Sequence, residues 1–454
     1  MKAVGLKPEV EYLQELLRAA RAGEQVVPPE FALDGKTAVL LQQVRERATI
    51  WARELALPTK RDEEWRFTDL SGLMAVRFQA PLPVEVQELA LAPLVLPEAA
   101  CRVVLVNGVY APHLSTVTGL PSGTLVGNLA QLPEKYRERL EVYLAKHPSN
   151  NEVFAAVNTA GLTDAAVVWL PKNTKIETPI HLLFLSIAAE ASVISQPRCL
   201  VVAEAGSSAT LIEYYSTLES LGCPGSSSGT YFANAVTEIW LEDNAEIVHV
   251  RVQREASEAF HIGKTAIAQA RNSRYTGYAV CLGAVLSRHN WEVLQTGEGT
   301  TTTLNGLSAL AGSQLADTHS AIFLNHPYGT CRQLHKCIVN DSARAVFNGK
   351  ILVPKPAQMT DAAQLSRNLL LSPKARVDTK PQLEITADNV KCSHGATVSQ
   401  LDAEEIFYLQ SRGLSREMSC NLLIDAFATE IIQQIPVKSL QKMLSRCVAC
   451  RQID

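Results

Sequence analysis

This sequence has no apolar run long enough to cross a bilayer. The longest, HLLFLSIAAEASVI from His181, is broken by Glu190 and falls short of the ~20 residues that a spanning helix needs. It has no surplus of charge either. Forty-two basic against 46 acidic side chains leave a net charge of −4, which excludes recognition of nucleic acid or an anionic membrane by bulk electrostatics. The opening stretch, MKAVGLKPEVEYLQELL, carries acidic residues early and lacks an apolar signal core, so an export signal is not expected. The ten cysteines (Cys101, Cys199, Cys223, Cys281, Cys331, Cys337, Cys392, Cys420, Cys447 and Cys450) are scattered and do not form a disulfide framework. A cytoplasmic chain with reduced thiols is the expectation. The familiar nucleotide and hydrolase signatures are missing too: there is no Walker A, no GxGxxG between strand and helix, no HExxH and no GxSxG. If ATP is involved, another subunit supplies the ATPase.

What is present describes a folded protein, 47% hydrophobic and 19% charged, too long at 454 residues for one ordinary core unless the fold is elongated. Three regions differ in texture. Residues 1–162 read as a helical and mixed region, with amphipathic periodicity over Glu9–Ala22 and Thr37–Leu55. LPTKRDEEWRFTDL (57–70) reads as a helix opening at Pro58 and Thr59, and PEKYRERLEVYLAKH (133–147) as a helix with Pro133 near its first turn. VVLVNGVY (103–110) is a hairpin signal around Asn-Gly.

Residues 163–401 are a succession of short strand-like runs, among them AAVVWL, CLVVAE, EIVHVRV, AVFNGKILV and QLEITA. Ala209, Ala245, Ala343 and Ala375 recur in small polar turns at intervals near a period of about 33 or its multiple, as the stacked coils of a solenoid would give. A β-sandwich competes, but hairpin dipeptides are scarce here, which favours a parallel β-helix. Residues 402–454 return to helix. Asp402 and Glu405 open it, Gly413 stops it and Ser415 caps the next, whose apolar stripe is Leu422, Leu423, Ala426, Phe427 and Ile431. Such a domain is expected to cover the solenoid's open end and to offer a helical face to a partner.

Candidate ligands are few. In NVKCSHGATV, Cys392 and His394 stand at i and i+2 of a strand and share a face. Thiolate with imidazole suits zinc or iron–sulfur chemistry, but two ligands are half a tetrahedral site. On spacing alone, a buried thiol beside a hydrogen-bonded imidazole is the simpler account. Cys331, His335 and Cys337 also share strand parity, in no standard zinc spacing, and read as inward-facing solenoid side chains. Cys447 and Cys450 form a lone CxxC near the end of the chain. Arg288, His289, Asp317, His319 and His326 have the density a metal hydrolase wants but fall in different runs.

Beyond such patterns, several strings strongly resemble the SufB/SufD family of iron–sulfur cluster assembly scaffolds. They are RAVFNGKILV (344–353), QMTDAAQLSRNLLLSPKARVDTKPQLEI (358–385), DNVKCSHGATV (388–398) and LDAEEIFYLQSRGLSREMSCNLLIDAFATEII (401–432), joined by RNSRYTGYAV (271–280) and TCRQLHKCIVNDSARAVFNG (330–349), and more faintly by KRDEEWRFTDL (60–70). The CSHGAT form and the EEWRFTDL element look most like SufD. The resemblance implies a mainly β fold: a right-handed parallel β-helix core between an N-terminal helical region and a C-terminal helical domain. It implies a non-catalytic subunit of a SufB–SufC–SufD complex. SufC, an ABC-type ATPase, would dock on the C-terminal helices, for which Asp402, Glu405, Phe407, Tyr408, Arg412 and Phe427 are the candidates. A transient iron–sulfur cluster would form between SufB and this chain, with His394 as ligand and Cys392 as second candidate. A reduced flavin on the complex and a homodimer through the same edge remain open. So do two rivals: a stand-alone β-helix enzyme acting on polysaccharide, and a metal-free interaction module.

Overall fold

The computed structural model describes residues 8–23, 33–148, 152–188, 191–218 and 229–449. Its centre is a parallel β-solenoid made of two ten-stranded sheets, and from Ser208–Ser216 onward consecutive strands alternate between them. Neighbours within a sheet keep unbroken parallel register. Glu246 faces Arg274, Arg274 faces Thr301, Thr301 faces Thr330, Thr330 faces Asp361 and Asp361 faces Lys391. A coil is therefore shorter than the expected period of about 33. Ala343 and Ala375 do occupy equivalent turns, just before the partners Arg344 and Arg376. Ala209, however, pairs with Ile247 of the same sheet, two residues beyond Ala245, so it is not the equivalent of Ala245.

One corner of each coil demands a left-handed residue. Asn244 (φ 58°), Asn272 (φ 56°) and Gly299 (φ 70°) fill it, as the residue types that tolerate this backbone should; Tyr328 (φ 62°) and Met359 (φ 60°) hold it in later coils. Inside, Ile239, Ile267, Val293, Ile322 and Ile351 stack as one continuous apolar column. The outer faces are covered. Tyr12, Leu16, Trp65, Phe78 and Phe154 pack on Phe232, Phe260 and Leu286. Ile424, Ala428, Ile431, Leu440 and Leu444 pack on Val250, Val280, Leu307 and Ile338.

The two ends differ. At the first, the Asn107-Gly108 hairpin (φ 52° and 87°) folds Val109–Tyr110 antiparallel onto Cys101–Val106, and Leu125–Asn128 runs antiparallel to Ala166–Leu170. These strands close off the sheets. At the other end, Arg376–Ile385 and Lys391–Ser399 are each the last strand of a sheet, with no strand beyond them among the described residues.

Three expectations are corrected. The C-terminal helices Ala403–Ser411, Arg416–Ile432 and Lys438–Ala449 leave that end open, because their apolar side chains find the outer face of a sheet instead. The buried face of Arg416–Ile432 is Cys420, Ile424, Ala428, Ile431 and Ile432, while Leu422 and Ala426 are exposed. Finally, 57–70 holds only a single 3-10 turn, Glu63–Trp65, since its side chains are tied to distant strands. Pro8–Ala22, Gly35–Glu54 and Glu134–Tyr143 are helices, as the periodicity predicts. None of the described helices is long and apolar enough to cross a membrane.

Candidate functional site

The Lys391–Ser399 strand is the most exposed of its sheet, and its far edge leaves backbone donors and acceptors free to pair with another chain. Cys392 faces Ala362 and His394 faces Gln364 on the preceding strand, Asp361–Leu370. Both therefore continue the inward-facing row of the solenoid, at the last position before solvent. Cys392 is half-buried against the interior cluster, and burial pushes its thiol up. The free thiol is thus protonated at neutral pH, and the exposed imidazole is the readier donor. His394 has no hydrogen bond or ion pair on its ring among the described residues. The buried, hydrogen-bonded alternative does not describe it.

No group of three or more His, Cys, Asp or Glu side chains among the described residues is placed to hold a metal ion. Cys392 and His394 are two donors on one face of an edge strand.

Behind this edge the interior also holds thiols and polar side chains. Cys331 faces Ala362, which faces Cys392, so the two thiols belong to one row, separated by a strand. Desolvation pushes the Cys331 thiol up to about 12, with Cys337 raised as well. His335 lies flat on Phe347, ring centroids 4.5 Å apart, and burial takes its imidazole down to about 3. These three are buried side chains of the solenoid wall, and the thiols are held protonated. His289 also points inward, 2.9 Å from Thr265 Oγ1, and burial takes it well below the usual imidazole value. Cys447 is half-buried, and Cys450 lies outside the described residues.

Register also unites residues that fall in separate runs of sequence. Arg288 faces Asp317 and Asn290 faces His319 across adjacent strands, on the outer face. Asp317 binds Arg288 and accepts from Thr68 Oγ1, and His319 stands 2.9 Å from Asp317 and 3.0 Å from Glu64. Trp65 covers the Arg288 guanidinium at 3.8 Å. The KRDEEWRFTDL segment is thereby clamped onto the solenoid. Together they line a cavity of about 360 Å³ that includes Lys60, Arg66, Asn348 and Lys380. The residue types were visible in the sequence; their adjacency depended on the length of a coil.

The C-terminal candidates divide. Asp402 caps its helix, accepting from Glu404 N at 2.7 Å. Glu405, Phe407 and Tyr408 are exposed on Ala403–Ser411, a helix that buries none of its residues, and Arg412 is exposed at its C-terminal cap. Phe407 and Tyr408 show 73% and 57% of their surface to solvent, an unusual amount for aromatic rings, and Met418 and Leu422 are exposed on the next helix. Phe427, by contrast, is half-buried with Lys336 Nζ 4.1 Å from its ring, so it belongs to the joint with the solenoid.

Comparison with known proteins bears on this geometry. The family model described as the SufBD core domain of SUF-system FeS cluster assembly matches residues 185–427, and the SufBD N-terminal region matches 30–182. An iron–sulfur cluster assembly SufBD family protein of Synechocystis is 49% identical over 94% of this chain and 95% of its own. Iron–sulfur cluster assembly protein SufD of Escherichia coli is 32% identical over 86% and 88%, and chloroplastic protein ABCI7 of Arabidopsis thaliana is 32% identical over 88% and 84%.

Proposed function

Because the chain belongs to the SufBD family of the SUF iron–sulfur cluster assembly system, we propose that it is a non-catalytic, SufD-like scaffold subunit of a SufB–SufC–SufD complex. The observation that carries this reading is the position of His394: exposed, without a partner among the described residues, and on the outermost unpaired strand beside half-buried Cys392.

The edge of Lys391–Ser399 pairs with the corresponding edge of a SufB-like chain, extending the sheet across the interface. The cluster is the complex's cargo, built where the two chains meet. His394 gives a neutral imidazole lone pair to iron, and the SufB-like chain gives a cysteine thiolate. One imidazole in place of a thiolate makes a weaker anchor, which suits a cluster that must leave. Cys392 serves as a second donor once iron has displaced its proton.

A SufC-like ABC ATPase docks on the exposed face of Ala403–Ser411 through Phe407, Tyr408 and Arg412. On binding ATP, two such ATPase subunits close together and lever the C-terminal helices of both scaffold chains. That motion opens the shared edge to iron and sulfur.

Co-expression tests the arrangement. A tagged copy of this chain should retain both a SufB-like chain and an ATPase, and the complex should bind iron and sulfide after anaerobic reconstitution. Recovery of the chain alone, with activity on polysaccharide and no bound iron, would contradict it.

A further inference from the structure

A carboxamide ladder runs up the inside of the solenoid and ends directly beneath His394. At its base Ser320 Oγ accepts a hydrogen bond from Gln333 Nε2 at 2.7 Å, and Gln333 Oε1 accepts from Gln364 Nε2 at 2.7 Å. Gln364 is 2% exposed and Gln333 6%. The ladder has room because Gly349 faces it from the opposite sheet; a Cβ there would overlap Gln364 Nε2 and its Cδ. With its NH₂ group committed to Gln333, Gln364 has only its Oε1 left to pair. That oxygen is buried and has no hydrogen-bond partner among the described residues.

Buried acceptors are seldom left unpaired, because desolvation of an unsatisfied oxygen costs about 1–3 kcal/mol. The residue in register above Gln364 is His394. Side chains on paired positions of adjacent parallel strands stand about 4.8 Å apart, within reach of a hydrogen bond between an imidazole N–H and a carboxamide oxygen. A turn about the His394 side-chain bonds brings one ring N–H over Gln364 Oε1 and leaves the other nitrogen as a bare lone pair facing outward. Metal-binding imidazoles are commonly fixed in this way, one nitrogen held by an acceptor and the other free for the metal.

We infer that Gln364 is a positioning residue for His394: its Oε1 fixes the tautomer and orientation of the imidazole, and the ladder through Gln333 to Ser320 fixes Gln364. This rests on the reading of His394 as a cluster ligand, yet the link between the two side chains is testable without any cluster.

The test uses the full chain, labelled with nitrogen-15 in its histidine rings, at about pH 8.5, where free imidazole is neutral. His394 is assigned by its disappearance in His394→Ala. The expected result is one clearly protonated and one clearly unprotonated ring nitrogen. In Gln364→Leu the two shifts should move to the averaged values of free histidine, and in Gln364→Glu, which keeps an acceptor oxygen, the separation should return. Gly349→Ala displaces the carboxamide without touching His394 and should average the shifts as well. If Gln364→Leu fails to fold, the wild-type pattern and Gly349→Ala decide the matter. Averaged shifts in the wild-type chain, or a wild-type pattern that survives Gln364→Leu, would overturn the inference. A confirmed link together with normal cluster yield in His394→Ala would instead remove the ligand role and leave the positioning intact.

Discussion

Arg288 and Asp317 face each other on adjacent parallel strands and form an ion pair with side chains only 2% and 1% exposed. Burial alone would raise the Asp317 carboxyl. The Arg288 and His319 charges, with hydrogen bonds from His319 and Thr68, outweigh it and hold the carboxyl at about 2. A carboxylate depressed in the folded state adds stability that is present above its unfolded value near 4 and lost as pH falls toward 2. The unfolding free energy measured by urea titration should therefore drop between about pH 4 and pH 2, by on the order of 2 kcal/mol. Asp317→Asn should flatten that slope while costing about 3 kcal/mol at neutral pH, since Arg288 is left buried without its partner. His319 runs the other way. Burial lowers it, but Asp317's charge and its bonds to Asp317 and Glu64 leave it raised. Its contribution is complete below about pH 6.5 and fades as pH rises through the folded value, and His319→Gln should remove that alkaline decline.

A buried cation, Lys336, stands at the joint between the C-terminal helices and the solenoid. Lys336 Nζ donates to Phe427 O at 2.7 Å and binds Glu430, which also accepts from Arg367 at 2.9 Å. Burial lowers the Lys336 ammonium against the opposing pull of Glu430. Lys336→Met should loosen the joint by about 1–3 kcal/mol, seen as faster amide exchange across Arg416–Ile432. Arg367 is 43% exposed, so Arg367→Met should change exchange little.

Exposed aromatic rings on a helix that buries nothing mark a surface built for something else. Replacing Phe407 and Tyr408 by Ser should leave the melting temperature unchanged, because both rings are in solvent. The same change should weaken capture of the ATPase subunit by about 30-fold or more, as loss of an aromatic anchor worth about 2 kcal/mol implies. Unaltered binding by calorimetry would remove this helix from the docking surface.

Much of this was legible in the sequence because it depends on local chemistry. Asn107-Gly108 announces its hairpin, Ser415 its cap (accepting from Met418 N at 3.1 Å), and the parity of Cys331, His335 and Cys337 their inward direction. Cys392 and His394 were legible as an incomplete pair, and the edge position gives that incompleteness a physical sense. What the sequence hid depends on coil length. Coils vary, so Ala209 and Ala245 mimic a repeat that the register does not keep, and the meeting of Glu64, Arg288, Asp317 and His319 cannot be read without that register. The same segment, 57–70, has the acids and the proline of a helix start, yet its contacts with strands far along the chain hold it as a loop around one 3-10 turn. In Arg416–Ile432 both Leu422 and Ile424 are apolar, and only the sheet beneath decides which is buried.

In the proposed arrangement His394 carries iron at an edge shared with a partner. The most direct measurement is iron and acid-labile sulfide content of the three-subunit complex after anaerobic reconstitution, for wild type, Cys392→Ser and His394→Ala. All three should assemble with both partners, Cys392→Ser should retain part of the cluster, and His394→Ala should hold almost none. A His394→Ala complex with the wild-type content of iron and sulfide would contradict it.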